Sequence, residues 1–389
     1  MASWLRGLPP WILPVVSSRV LLFLSVAVGL IAWPVREAPF GVRSLGTPSK
    51  ISAFPDWVWL DGWVRWDSAW YFSVAKSGYY FDPGIESNVA FFPLYPLVVR
   101  AVSAPFSLML DEPRAFYAAA IVVSLVAFFV GAKYLHALSE KILDPQAAAR
   151  VSWFFCLAPW SLFFGAAYSE SLYFALAVCA ISEAIDRRFV RASIFAALAA
   201  LCRSVGLVVA VAVALEFFLR RPFSARPKEV LALSLPVVAL LSHMAYLGVV
   251  VGDPVAFLHV QDAPLWGRTP GLPPILDTLA LVDDESIPLD TRVALSLAPL
   301  GVLATLLLSL VAFARVRPSL GLFGVLSMAT VLSAGSWDST GRYTCVVFPA
   351  FLALAALVRR SMIVALISSV STLLLLYNAF GFSHWRQPF

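Results

Sequence analysis

An all-α, polytopic transmembrane fold is predicted by three observations. Of 389 residues, 60% are hydrophobic and only 13% charged, about half the charged share of a water-soluble domain, and mean hydropathy is +0.84. The apolar residues gather in runs of about twenty, enough to cross a hydrocarbon core of roughly 30 Å as helix. Short basic clusters separate the runs: Arg187, Arg188 and Arg191; Arg220, Arg221, Arg226 and Lys228; Arg315 and Arg317; Arg359 and Arg360. Such clusters mark cytoplasmic loops, so the net charge of +5 points to membrane orientation rather than to nucleic acid. Cytosolic enzymes and disordered scaffolds are poor fits. No polar stretch is long enough for a soluble domain, and residues 1–389 read as a single polytopic domain.

The runs fall at 11–33, 89–110, 115–138, 150–166, 168–185, 192–219, 230–251, 292–313, 319–335, 342–358 and 361–380, giving about nine to eleven membrane segments. The 11–33 run exceeds twenty residues and lacks a small-residue cleavage site, so it predicts a first spanning helix rather than a removed signal. Placing the basic clusters inside puts the loops 34–88 and 252–291 and the link 336–341 outside. The second loop fits: Asp253, Asp262, Asp277, Asp283, Asp284, Glu285 and Asp290 face Arg268 alone. Parity fails at 192–219, which has basic clusters at both ends. A break at Arg203-Ser204-Val205-Gly206 restores it, and a second break is expected between 89 and 138, where Pro93, Pro96, Arg100 and Pro105 interrupt the run. Non-helical backbone at membrane depth survives only where it lines protein or a water-filled cavity. Both breaks therefore point to an internal site.

In the first outer loop, five of thirteen tryptophans lie between 57 and 70. At about 100° per residue, Trp59, Trp63, Trp66 and Trp70 share a stripe about 60° wide, which predicts an amphipathic helix in the headgroup zone. Asp61 stands four residues before Arg65 on the opposite face, the spacing of a solvated ion pair. Asp67 differs. Its i±3 and i±4 neighbours are Val64, Trp70, Trp63 and Tyr71, so no local cation neutralises it, and a carboxylate on an aromatic wall is a candidate general base. Asp56, about three turns away on the same edge, is the second candidate.

Glu170 lies in Tyr168-Ser169-Glu170-Ser171, inside an otherwise uncharged apolar stretch, where a charge usually faces a cavity or a partner. Arg203 at the break combines a guanidinium fork with the N–H groups of a helix start, a combination suited to phosphate; a structural Arg–Glu pair is the alternative. Arg342 with Tyr343 offers a second cation at the outer edge. Cys156, Cys179, Cys202 and Cys345 all lie in apolar segments without ligand spacing and read as packing residues. His136, His243, His259 and His384 are scattered. No metal site is expected.

The segments Arg65-Trp66-Asp67-Ser68, Ser77-Gly78-Tyr79, Ala90-Phe91-Phe92-Pro93-Leu94-Tyr95-Pro96-Leu97, Ala167-Tyr168-Ser169-Glu170-Ser171, Arg203-Ser204-Val205-Gly206 and Gly341-Arg342-Tyr343 resemble the mannosyltransferase family of GPI mannosyltransferase 2 (PIG-V) and its bacterial relatives. Gly252-Asp253-Pro254 through Trp266-Gly267-Arg268 is similar to the bacterial members. Val205 departs from the eukaryotic form, which tends to have Asn. The resemblance implies a GT-C membrane glycosyltransferase with an outward-facing site and an acidic base in the first outer loop. It implies a polyprenyl (dolichyl-type) phosphate mannose donor, a glycolipid or glycan mannoside acceptor, and inversion to an α-mannoside. Asp67 then reads as the catalytic base, with Arg203 and Arg342 binding the donor phosphate. Arg65, Trp66, Tyr71, Tyr168, Glu170, Ser204, Trp266, Arg268 and Tyr343 complete the expected substrate site. No cofactor is required by this reading, although divalent metal stays open, and a bacterial cell membrane is favoured over the endoplasmic reticulum. A polyprenyl-linked glycan transporter or flippase, a GT-C transferase of another sugar and a noncatalytic subunit are the competing readings.

Overall fold

The structure is a computed structural model that describes residues 7–33, 35, 53, 54, 56–220, 226–264, 266–286 and 289–386. Arg221, residues 36–52 of the first long loop, and the side chains of Arg220 and Asp290 lie outside the described residues. Helix α1 (Ile12–Ala32) realises the first apolar run. A four-residue α2 (Val58–Asp61), α3 (Ser68–Ser77), α4 (Leu94–Ser103) and the long α5 (Glu112–Ile142) follow. Next come α6 (Pro145–Cys156), α7 (Glu170–Ile185), α8 (Phe189–Cys202) and α9 (Gly206–Arg220). Then come α10 (Pro227–Ala232), α11 (Leu235–Val250), α12 (Ala256–His259) and α13 (Ile275–Asp283), and after them α14 (Leu289–Val311), α15 (Pro318–Leu332), α16 (Thr340–Cys345), α17 (Pro349–Leu357) and α18 (Ser361–Ser383). Among the described residues β structure is limited to one isolated parallel bridge, Gly271 to Ala334.

Among the described residues, five stretches are long and apolar enough to cross a membrane: α1, α5, Pro227–Val250, Leu295–Val316 and α18. The remaining apolar runs are shorter or broken where charged residues, Gly or Pro interrupt them. Both expected breaks are present. Arg203 takes an extended conformation, φ −152°, between α8 and α9, and residues 104–111 separate α4 from α5. Helix α5 starts cleanly because the Asp111 carboxylate accepts the Arg114 N–H at 3.2 Å and Pro113 occupies a first-turn site that needs no donor. Asp144 caps α6 in the same way, through the Ala147 N–H at 2.8 Å. The core lies where α5, α6 and α7 meet. There Phe128, Phe155, Phe164 and Phe174 stack with centroids 4.5–6.5 Å apart, and Gly131 lets α7 approach so closely that a Cβ would sit 2.5 Å from the Phe174 ring.

Two charged residues inside the apolar runs, Arg19 and Glu216, have tertiary partners. Arg19 of α1 donates to the Cys156 carbonyl at the end of α6 at 3.3 Å and to the Ser161 carbonyl in the turn beyond it at 2.7 Å. Glu216 of α9 receives both arms of Arg317, at 2.6 and 2.8 Å, and the Ser319 hydroxyl at 2.5 Å. This clasp locks α9 to the start of α15. Replacing Arg317 by Met removes both guanidinium hydrogen bonds from a carboxylate that is 1% exposed. The expected loss is about 3 kcal/mol or more of stability, read as a lower thermal midpoint in detergent.

The tryptophan stripe is the main correction to the sequence reading. Residues 57–70 do not form one amphipathic helix. Helix α2 stops after four residues, and Trp66 takes a left-handed φ of +50° before α3 begins. The cause is Arg65, which is 1% exposed rather than solvated. Its guanidinium donates to the Asp61 carbonyl at 2.6 Å, the Val64 carbonyl at 2.9 Å and the Ser383 carbonyl of α18 at 2.9 Å, and it pairs with the Asp61 carboxylate at 2.7 Å. Carbonyls that would continue a helix are consumed by this knot. Trp63 consequently sits fully buried, stacked on Phe23 at 4.4 Å, whereas Trp59 is the exposed member.

Candidate active site

The knot aims the next residue. Asp67 occupies the N-cap position of α3 but does not cap it with its side chain, so the carboxylate is free to turn into a cavity of about 710 Å³. That cavity is walled by the 66–71 turn, the Phe91-Phe92 stretch, the 163–169 turn, the α8–α9 break, the 257–270 segment, and α14 with the end of α15 and the link to α16. The link is fastened to the second long loop by the Gly271 N–H, which donates to the Ser333 carbonyl at 3.1 Å. Gly335, at φ +67°, lets Thr269 approach its backbone.

Asp67 is not unpaired. Arg342, 275 residues away, donates from Nη1 to Asp67 Oδ2, a partner that helix spacing could not reveal. The Asp67 N–H donates to the Tyr168 hydroxyl at 3.0 Å. Arg342 lies over the Tyr168 ring at 5.6 Å and the Tyr343 ring at 5.4 Å. Arg203 lies over the other side of the site, 4.8 Å from the Tyr343 ring. Its Nη1 donates to the Ser169 hydroxyl at 3.1 Å and to Glu170 Oε1 at 2.5 Å. Tyr71 joins the same network through Ser169 at 2.8 Å. The Arg203 and Arg342 guanidiniums, both at least nine-tenths buried, and the Asp67 carboxylate thus converge on a single cavity.

Ten of the twelve expected site residues line it: Asp67, Arg203, Arg342, Trp66, Tyr71, Tyr168, Ser204, Trp266, Arg268 and Tyr343. Trp266 packs on Trp70 at 5.7 Å, and Arg268 is braced by Gln261 at 3.0 Å. Arg65 and Glu170 do not line it. Arg65 is spent on the knot, and Glu170, 0% exposed, lies behind the arginines as their counter-ion. Asp56 is exposed and also stands away from the cavity. The helix-start donors expected beside Arg203 are partly occupied, since Gly206 N–H donates to Arg203 O at 2.9 Å and Val208 N–H to Val205 O at 3.0 Å.

Sequence reasoning did not single out Asp262, Trp337 and Asp338 as site residues, yet all three line the cavity. The only hint was a Trp-Asp pair, 337–338, that repeats the 66–67 pair. In the same loop Asp253 is held below the usual carboxylate range. Desolvation, the largest single influence, acts upward, but the His259 ring at 2.6 Å and the Val255 N–H at 2.9 Å together outweigh it. Among the described residues no group of three or more His, Cys, Asp or Glu is clustered to hold a metal ion.

The family described as Mannosyltransferase (PIG-V) matches residues 12–251, well over half of the chain. The chain belongs to this family. The matched region carries Asp67, Tyr168, Glu170 and Arg203, whereas Arg342 lies beyond it and is brought to them by the fold. GPI alpha-1,6-mannosyltransferase 2 of Rattus norvegicus is 31% identical over 198 residues, 50% of this chain and 39% of the relative. GPI mannosyltransferase 2 of Drosophila pseudoobscura pseudoobscura is 27% identical over 209 residues, 49% of this chain and 45% of the relative. The matched region therefore spans less than half the length of these curated relatives. Among solved structures, ArnT from Cupriavidus metallidurans bound to undecaprenyl phosphate superposes with a TM-score of 0.50 at 15% identity, covering 88% of this chain and 59% of ArnT. The Archaeoglobus fulgidus oligosaccharyltransferase in complex with Zn and sulfate gives 0.51 at 14% identity, covering 97% and 53%. At such identities the likeness is one of fold: this PIG-V family member has the GT-C architecture of an integral membrane protein.

Proposed function

We propose that this PIG-V family member is a membrane mannosyltransferase that moves mannose from a polyprenyl-phosphate carrier to a mannoside acceptor, with inversion to an α-linkage. The observation that carries this reading is the convergence of Asp67 with the two buried arginines Arg203 and Arg342 on one cavity. In the proposed step the acceptor hydroxyl oxygen attacks the anomeric carbon, and its proton passes to Asp67. The bond from that carbon to the carrier phosphate breaks, and its electron pair leaves on the phosphate oxygen. Arg203 and Arg342 neutralise the charge that develops there. Trp66, Tyr71, Tyr168, Trp266 and Tyr343 supply ring faces for sugar or prenyl chain, while Ser204 and Arg268 supply polar contacts. The acid-rich second loop and the basic clusters favour a cavity opening away from the cytoplasm, at a bacterial cell membrane or, in a eukaryote, on the lumenal side of the endoplasmic reticulum.

The test is transfer by purified protein from synthetic polyprenyl-phosphate mannose to a panel of α-mannosides, with glucose- and arabinose-charged carriers beside it. Transfer of mannose alone supports the reading. Transfer of another sugar instead would move the protein to a different GT-C specificity. Binding of the carrier without any transfer or carrier hydrolysis would favour a lipid-linked glycan transporter.

A further inference from the structure

The Asp67–Arg342 pair poses a problem for any reaction in which Asp67 takes a proton, because a carboxylate held by a guanidinium is a poor base. The surroundings of Arg342 contain the answer. Its Nε is buried without a hydrogen-bond partner, and so is Glu170 Oε2. Arg342 Nε stands 3.7 Å from Glu170 Oε1, a gap that an ion pair spans but a hydrogen bond does not. The nearer oxygen, Oε1, already accepts from Arg203, so Arg342 Nε and Glu170 Oε2 are buried, oppositely charged groups on neighbouring side chains that each lack a hydrogen bond, a costly arrangement. Glu170 is the first residue of α7, fixed there by Arg203, so it cannot travel far. Arg342 stands on the shorter element, since α16 is six residues long and follows Ser339 at a left-handed φ of +62°, and the movement is assigned to its side chain.

We infer that Glu170 is a positioning residue that receives Arg342 when an anionic group enters the cavity. This inference rests on the proposed carrier chemistry. At rest Arg342 neutralises Asp67. A phosphate arriving between Arg203 and Arg342 offers a stronger anion, Arg342 leaves Asp67 for it, and its Nε closes the 3.7 Å gap onto Glu170. The charges then alternate as phosphate, Arg342, Glu170 and Arg203, and the Asp67 carboxylate is released as a base only once the donor is seated. Tyr71, Tyr168 and Tyr343 surround these groups with hydroxyls and rings. Water entering an empty site would meet an Asp67 still occupied by Arg342.

The probe is undecaprenyl phosphate titrated into protein held in phosphatidylcholine nanodiscs, read by the fluorescence of the cavity tryptophans Trp66, Trp70, Trp266 and Trp337. Asp67→Asn removes the competitor for Arg342 and is expected to tighten binding about tenfold. In the Glu170→Gln background the freed Arg342 has no carboxylate to orient it, and the same substitution is expected to change affinity by less than about twofold. Arg342→Lys keeps the charge but lacks the Nε–H, and should abolish the gain equally, which covers the case in which Glu170→Gln does not fold. An equal gain from Asp67→Asn in all three backgrounds overturns the inference and leaves the carrier reading intact. Absence of binding by the wild-type protein overturns the carrier reading, and the inference with it.

Discussion

Asp67→Asn is expected to lower mannose transfer by about 10²–10⁴-fold, the usual contribution of a general base, while the purified variant still folds and still binds the carrier. The substitution keeps the shape of the side chain and removes only the ability to hold a proton. The N–H of residue 67, which donates to Tyr168 at 3.0 Å, is backbone and is untouched. Arg342 loses one partner but retains Glu170 within 3.7 Å, so no buried cation is stranded without an anion. The loss should therefore appear in kcat rather than in KM for the donor. Asp67→Ala is the less informative variant because it also opens space beside Trp66. Undiminished transfer by Asp67→Asn would exclude Asp67 as base and direct attention to Asp262 and Asp338, the other carboxylates on the cavity wall; Asp56 is exposed outside it, and Glu170 is sealed behind the arginines.

What was legible in the sequence divides along a physical line. The break at 203–206, and the presence of a second between 89 and 138, could be read because charge and Pro inside apolar runs violate a local rule that the bilayer enforces; of the residues that signalled the second, Pro96 and Arg100 lie inside α4 and Pro105 lies in the break itself. The helical class was legible for the same reason. The tryptophan stripe was misread because spacing assumes a continuous helix, whereas Arg65 reaches 318 residues along the chain to Ser383 and takes the carbonyls such a helix would need. The Asp67–Arg342 pair was invisible to spacing, so Asp67 looked unpaired although the fold supplies a partner. Asp262 and Asp338 were passed over because acids in a polar loop are indistinguishable from solvated charge until the loop is seen to wall a cavity. The roles assigned to Asp67, Arg203 and Arg342 came from residues plus family resemblance, and the geometry adds their convergence.

Gly206→Ala should be as damaging to transfer as loss of the base, by a route that involves no chemistry. A Cβ at this position would stand 2.1 Å from the Ala199 carbonyl oxygen and 2.5 Å from Ala200 Cα. These are backbone atoms of α8, so no rotamer change relieves the clash, and α9 must move away from α8 as a unit. Overpacking of this kind costs about 1–3 kcal/mol, which lowers the thermal midpoint. The functional cost is larger, because Arg203 sits at the hinge between the two helices and its guanidinium must meet both Glu170 and the incoming phosphate. A displacement of about 1 Å at a positioning group is enough for a loss near 10²-fold. Gly78→Ala provides the control that separates sterics from backbone conformation. Gly78 has φ +75° and ψ −161°, a region essentially reserved for glycine, with nothing within 4 Å of a built Cβ, so alanine there should cost about 1–3 kcal/mol of backbone strain and leave transfer within a few-fold of wild type. If Gly206→Ala transferred mannose as well as Gly78→Ala, the close packing of α9 on α8 would not be what sets Arg203, and the break would owe its position to the Glu170–Arg203 pair alone.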